Sequence, residues 1–155
     1  MTRIKLETTI HASLEICFDV SRDIDVHVES TKHTGETAIA GTTSGLIGLG
    51  ESVTWRAKHL GIWQTLSTKI TSFTYPTYFV DEMTDGAFAS MKHEHIFERE
   101  QTYTRMTDIF VFESPLGFLG KLFNTLYLTR YMHNLLQHRN DVIKQEAERR
   151  AASHA

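Results

Sequence analysis

The sequence has a single cysteine, Cys17, among 155 residues. That excludes an intramolecular disulfide and any cysteine-based metal cluster. It has no excess of positive charge: the formal net charge is -3 with nine histidines counted as neutral. A broad basic face that would track a phosphate backbone is therefore not expected, and no nucleic-acid partner is assigned. No run approaches the ~18 uninterrupted apolar residues of a membrane span. The nearest, Leu116 to Leu136, is broken by Lys121, Asn124, Arg130 and His133. The first residues, Met1 to Glu7, lack the apolar core of a secretory signal, so a reduced, cytoplasmic setting is expected. Internal repeats, low-complexity tracts and linker-like shifts in composition are missing too, which points to one domain. Its expected extent is 1–148, with a polar tail at 149–155 that frays.

What is present is an ordered succession of periods. Residues 3–10 alternate, with Ile4, Leu6 and Ile10 on one side. Ser13 is placed to cap a helix carrying Leu14, Cys17 and Phe18, and Asp23 a second one reaching about Thr31. From Gly35 the period becomes two. Runs at Glu36–Ala40, Glu51–Leu60, Ile62–Phe73, Tyr75–Met83, Phe88–Arg99 and Gln101–Glu113 are separated by short turn signals that force antiparallel neighbours. Ser114-Pro115 then reads as the start of a long helix toward Glu148. The expected order is β–α–α–β₆–α, an α+β arrangement in which the last helix must cover the sheet.

That helix carries two stripes on opposite sides. Leu119, Leu122, Phe123 and Leu126 form one; Leu128, Tyr131, Met132, Leu135 and Val142 form the other. A break near Asn124–Thr125 would reconcile them. Alternatively the first stripe packs on the sheet rim or forms a homodimer contact.

Alternation also sorts the strand faces. It turns Trp55 and His59 inward on one strand, and Ala89, Met91, His93, His95 and Phe97 on another. Phe79 and Asp81 share a face, as do Asp108 and Phe110. His93 and His95 project the same way about 7 Å apart at the α-carbon, a spacing a metal could use, but no metal is assigned. A His–Asp pair could instead act as a general base. The stretch from Gly41 to Gly50 has several glycines but lacks the Lys and the following helix of a phosphate loop, so it reads as a flexible inter-strand loop. Trp63, Phe73, Tyr75, Tyr78, Phe88 and Phe112 are expected to serve packing.

With Gly50-Glu51-Ser52-Val53-Thr54-Trp55, Ala57-Lys58-His59-Leu60-Gly61, Asp81-Glu82-Met83, His93-Glu94-His95-Ile96-Phe97, Asp108 and Ser114-Pro115-Leu116-Gly117 in this order, the chain resembles the SRPBCC (START-like, Bet v 1-like) superfamily. It is most similar to the small bacterial members labelled ligand-binding or polyketide cyclase/dehydrase-like. The resemblance implies a helix-grip fold with a cavity between a curved antiparallel sheet and the C-terminal helix, open to a small hydrophobic ligand. Some relatives only bind and carry, while others cyclise, dehydrate or hydrolyse, so the enzyme reading stays open. The candidate lining comprises Trp55, His59, Phe79, Asp81, Met91, His93, His95, Phe97, Asp108, Phe110, Tyr131 and Leu135. No cofactor is expected and no catalytic residue is assigned.

Overall fold

In the structure, a computed structural model that describes residues 1–114 and 127–154, local capping starts the helices where the sequence places them. Ser13 Oγ accepts from the Ile16 N–H at 3.2 Å and opens α1 (Leu14–Ser21). Asp23 Oδ1 accepts from Asp25 and Val26 and opens α2 (Ile24–Ser30). These side chains satisfy backbone donors that a helix start leaves without partners.

The strands are β1 (Thr2–Ile10), β2 (Thr37–Gly41), β3 (Ser52–His59), β4 (Ile62–Thr74), β5 (Tyr78–Gly86), β6 (Ser90–Arg99) and β7 (Thr104–Glu113). They form one antiparallel sheet in the order β1-β7-β6-β5-β4-β3-β2. Only β1 leaves the sequential meander, pairing with β7 so that Ile4 lies opposite Phe110. The pairing of β4 with β5 slips between Ser67 and Thr68 and again between Ile70 and Ser72. Bulges of this kind bend strands and curve a sheet. The β3–β4 turn is Leu60-Gly61, with φ of 54° and 80°, the left-handed pair that a two-residue hairpin needs.

A long helix, α3 (Thr129–Ser153), lies across the concave face. It buries Met132, Leu136, Arg139, Asn140, Ile143 and Ala147. This stripe is rotated slightly from the expected one, because Leu128, Tyr131, Leu135 and Val142 are only half-buried. The helix continues past 148: Glu148 accepts from the His11 N–H at 2.9 Å and Arg150 pairs with Asp23 at 3.3 Å. Tertiary ties therefore hold a segment whose polar composition suggests a frayed tail. The expected helix start at Pro115, the break near Asn124–Thr125 and the stripe Leu119–Leu126 fall outside the described residues.

Two apolar clusters separate along α3. Toward its C-terminus, Ile143 and Ala147 join a cluster around Phe18, whose ring meets Phe73, Tyr75, Phe79 and Phe97 at 5.1–5.4 Å. Toward its N-terminus, Met132 and Leu136 lie over Leu6, Met91, Phe110 and Phe112. The Gly41–Gly50 loop is pinned rather than free: Ile47 is buried, its N–H donates to Arg22 O, and Arg22 Nη1 returns a bond to Ile47 O. Two sequence expectations need correction. Ala89 is exposed, because it precedes the first paired residue of β6, and Trp63 stands half in solvent beneath Arg56 rather than in the core.

Candidate functional site

Between the sheet and the first half of α3 the second cluster does not close, and a cavity of about 330 Å³ remains. This lies within the ~300–1,000 Å³ range of small-molecule sites. Of the residues that alternation turned inward, Trp55, His59, Asp81, Met91, His93 and Phe110 line it, and from the helix so do Tyr131 and Leu135. Phe79 and His95 instead line a smaller chamber of about 80 Å³ under α1 and α2. Two expected lining residues do not reach either space. Phe97 is committed to the Phe18 cluster, and Asp108 stands behind His93.

A polar cluster stands at and behind the wall between the two spaces, and its members come from four elements. Asp108 on β7 lies opposite His95 on β6, and His93 lies opposite both Phe110 on β7 and Asp81 on β5. His93 Nε2 meets Asp108 Oδ1 at 2.8 Å, and His95 Nε2 meets Asp81 Oδ2 at 2.7 Å. The two imidazoles have centroids 3.8 Å apart with their planes tilted by 31°, and Phe79 stacks on His95 at 4.1 Å. From α3, Arg139 Nη1 donates to Asp108 Oδ1 at 3.3 Å and Asn140 Nδ2 to Asp108 Oδ2 at 2.7 Å. Arg139 and Asn140 were missed by the sequence reading. Their signal is a polar pair three and four residues beyond Leu136, where the buried stripe calls for an apolar side chain.

Proximity separates the charge states of these groups. Burial pushes His93 down, the neighbouring His95 charge pushes it further, and together they outweigh Asp108 to bring its pKa to about 4. His95 is also penalised by burial, but Asp108 and Asp81 on its two sides raise it above the usual histidine value. Burial would raise both carboxyls. His93, His95 and Arg139 nevertheless hold Asp108 well below its usual range, and His95 lowers Asp81. His95 Nδ1 is buried without a hydrogen bond, 3.5 Å from Asp108 Oδ1. The floor therefore favours the charged form of one imidazole, His95, and the neutral form of the other, His93.

A second polar group borders the cavity on the other side. His59 Nδ1 and Tyr131 Oη are 2.6 Å apart, joining β3 to α3. His27 bonds to Glu36, and its ring packs on Trp55 at 4.2 Å. Burial lowers His59 despite the opposing charge of Glu36. Asp81, His93 and His95 offer metal-donor atoms within 4.8 Å of one another. In this structure His95 and Asp81 are joined by a direct hydrogen bond.

No family model matches the sequence, and no curated protein matches it. Solved structures do resemble it. TTHA0849 from Thermus thermophilus shares 15% identity over 94% of this chain and 97% of that one, with a TM-score of 0.77. Major latex-like protein 151 from Panax ginseng shares 14% identity over 94% and 97%, with a TM-score of 0.69. The KanY protein shares 12% over 96% and 99%, with a TM-score of 0.72. At these identities the likeness concerns the path of the backbone, and it shows that the chain has the helix-grip fold of the SRPBCC, Bet v 1-like proteins.

Proposed function

We propose that this protein binds a small, largely hydrophobic molecule, to carry or to sense it, in the cavity between the sheet and α3. The observation that supports this reading is the hollow itself. Leu66, Phe88, Met91, Phe110, Met132 and Leu136 surround a space that neighbouring side chains do not fill, although each could have packed. The buried polar floor gives such a molecule an orientation. A reduced, cytoplasmic setting fits Cys17, a buried thiol that burial pushes up to about 11. Titration with the neutral fluorophore N-phenyl-1-naphthylamine should give saturable, blue-shifted emission. Native mass spectrometry of the purified protein should show a retained small molecule. Emission that never saturates would remove the basis of this reading.

The His93–Asp108 pair supports a second reading, a cyclase- or dehydratase-type enzyme. A neutral imidazole held at 2.8 Å by a carboxylate, on the wall of an apolar cavity, is an arrangement suited to proton abstraction. With a turned-over substrate in hand, His93→Gln would abolish turnover under this reading and would only change affinity under the first.

A further inference from the structure

The wall common to both cavities carries polar atoms that the fold itself does not use. Thr68, Asp81, His93 and Arg139 border both spaces. Arg139 is 6% exposed, and its hydrogen bonds leave from Nη1 alone, to Asp108 Oδ1 and to Asn140 Oδ1. A guanidinium has five N–H donors, so those on Nη2 and Nε have no partner among the described residues. A buried cation with unused donors is costly unless an acceptor meets it. His93 supplies the opposite kind of atom. Its Nε2 faces an ionised carboxylate, which only accepts, so that nitrogen holds the hydrogen and Nδ1 is left as a lone pair. Nδ1 also has no partner among the described residues.

N–H donors and a lone pair on one wall are complementary to a group that presents an acceptor oxygen and a proton. We infer that the molecule held in the cavity is an apolar acid whose carboxyl oxygen lies on Arg139 while His93 Nδ1 takes its proton. This rests on the binding reading above and names the class of ligand within it. On transfer the acid's O–H bond breaks, its electron pair stays on oxygen, and an N–H bond forms at Nδ1. An acid already ionised in solution draws that proton from the buffer.

Charge balance supports the same assignment. The ionisable groups around His93 are Asp108 from β7, His95 from β6, Asp81 from β5 and Arg139 from α3, with His27 bordering both spaces and Glu36 and His59 across the larger one. Within the floor itself Asp108, Asp81 and Arg139, with the proton that the two carboxylates favour on His95, sum to zero. A further buried carboxylate would be uncompensated, and a proton on His93 restores neutrality.

The test uses decanoate and decanol competing against N-phenyl-1-naphthylamine. Decanol is the more hydrophobic, so burial alone favours it. A charge-assisted bond to Arg139 should reverse the order, with decanoate about ten- to a hundred-fold tighter. Arg139→Gln should erase that preference while the fluorophore still binds. Calorimetry in buffers of different ionisation heat should report the uptake of about one proton per decanoate and none per decanol, and His93→Gln should lose it. If Arg139→Gln does not fold, the wild-type preference and proton count decide. Decanol binding as tightly as decanoate, or decanoate binding without proton uptake, would overturn the inference while leaving the binding reading intact. Failure of all three probes would remove both.

Discussion

At the scale of the residue, Asp108 is a carboxylate buried to 1% exposure that accepts from His93, Arg139 and Asn140 and so ties β6 and α3 to β7. Asp108→Asn turns one accepting oxygen into a donor facing other donors and removes the counter-charge of Arg139 and His95. A loss of about 3–5 kcal/mol is expected, the usual result of breaking one side of a buried ion pair, and urea denaturation measures it. The two histidines make opposite contributions to pH dependence. His93 is harder to protonate folded than unfolded, so the unfolded chain binds more protons between pH 6.5 and about 4, and stability falls as pH falls through that window. His95 is easier to protonate folded, so its contribution is complete below 6.5 and disappears as pH rises through its raised value. Together they place a maximum in the urea midpoint close to pH 6.5. His93→Gln should flatten the acid side of that maximum and Asp81→Asn the alkaline side. Identical profiles for the wild type and both variants would refute these charge assignments.

At the scale of the element, most of the architecture was legible because local chemistry specified it. The Ser13 and Asp23 caps, the period-two runs and the short turns each fix a conformation within a few residues, and they recur in the structure as α1, α2 and the sheet. What was illegible depends on contacts distant in sequence. Arg139 and Asn140 look like surface residues until α3 is laid against β7, because hydrophobic periodicity gives no weight to a polar side chain whose partner lies more than thirty residues away. The last turns of α3 look frayed until His11 and Asp23 meet them. Glycines show the same division. Gly41 and Gly50 both have left-handed φ, +75° and +79°, but a Cβ at Gly41 would sit 2.1 Å from Ser52 O while one at Gly50 meets nothing within 4 Å. Gly50→Ala should therefore cost only the ~1–2 kcal/mol of backbone strain. Gly41→Ala should cost clearly more, because it also pushes β2 away from β3. Paired thermal melts would show the order, and equal losses would mean that the β2 edge yields freely.

At the scale of the molecule, the sheet and α3 meet closely at one end and stand apart at the other, and only the closed end contributes full packing. The Phe18 cluster, with Ile143 and Ala147 above it, supplies the rigid half. The open half has half-buried Leu135 and Tyr131 on α3 facing the hollow. A chain selected for stability alone would fill that space, since added apolar contact inside a fold is stabilising wherever it fits without strain. Leu135→Trp is the direct trial of this reasoning. An indole at 135 would occupy part of the 330 Å³ and raise the melting temperature, by an amount equivalent to ~0.5–2 kcal/mol. It should also abolish saturable N-phenyl-1-naphthylamine fluorescence. Stability and binding would then move in opposite directions from one substitution, as expected if the hollow is kept open for an occupant. A variant that still bound the fluorophore at unchanged stability would show that α3 swings outward to admit the ring, and the cavity would then be set by where the helix rests rather than by the side chains that line it.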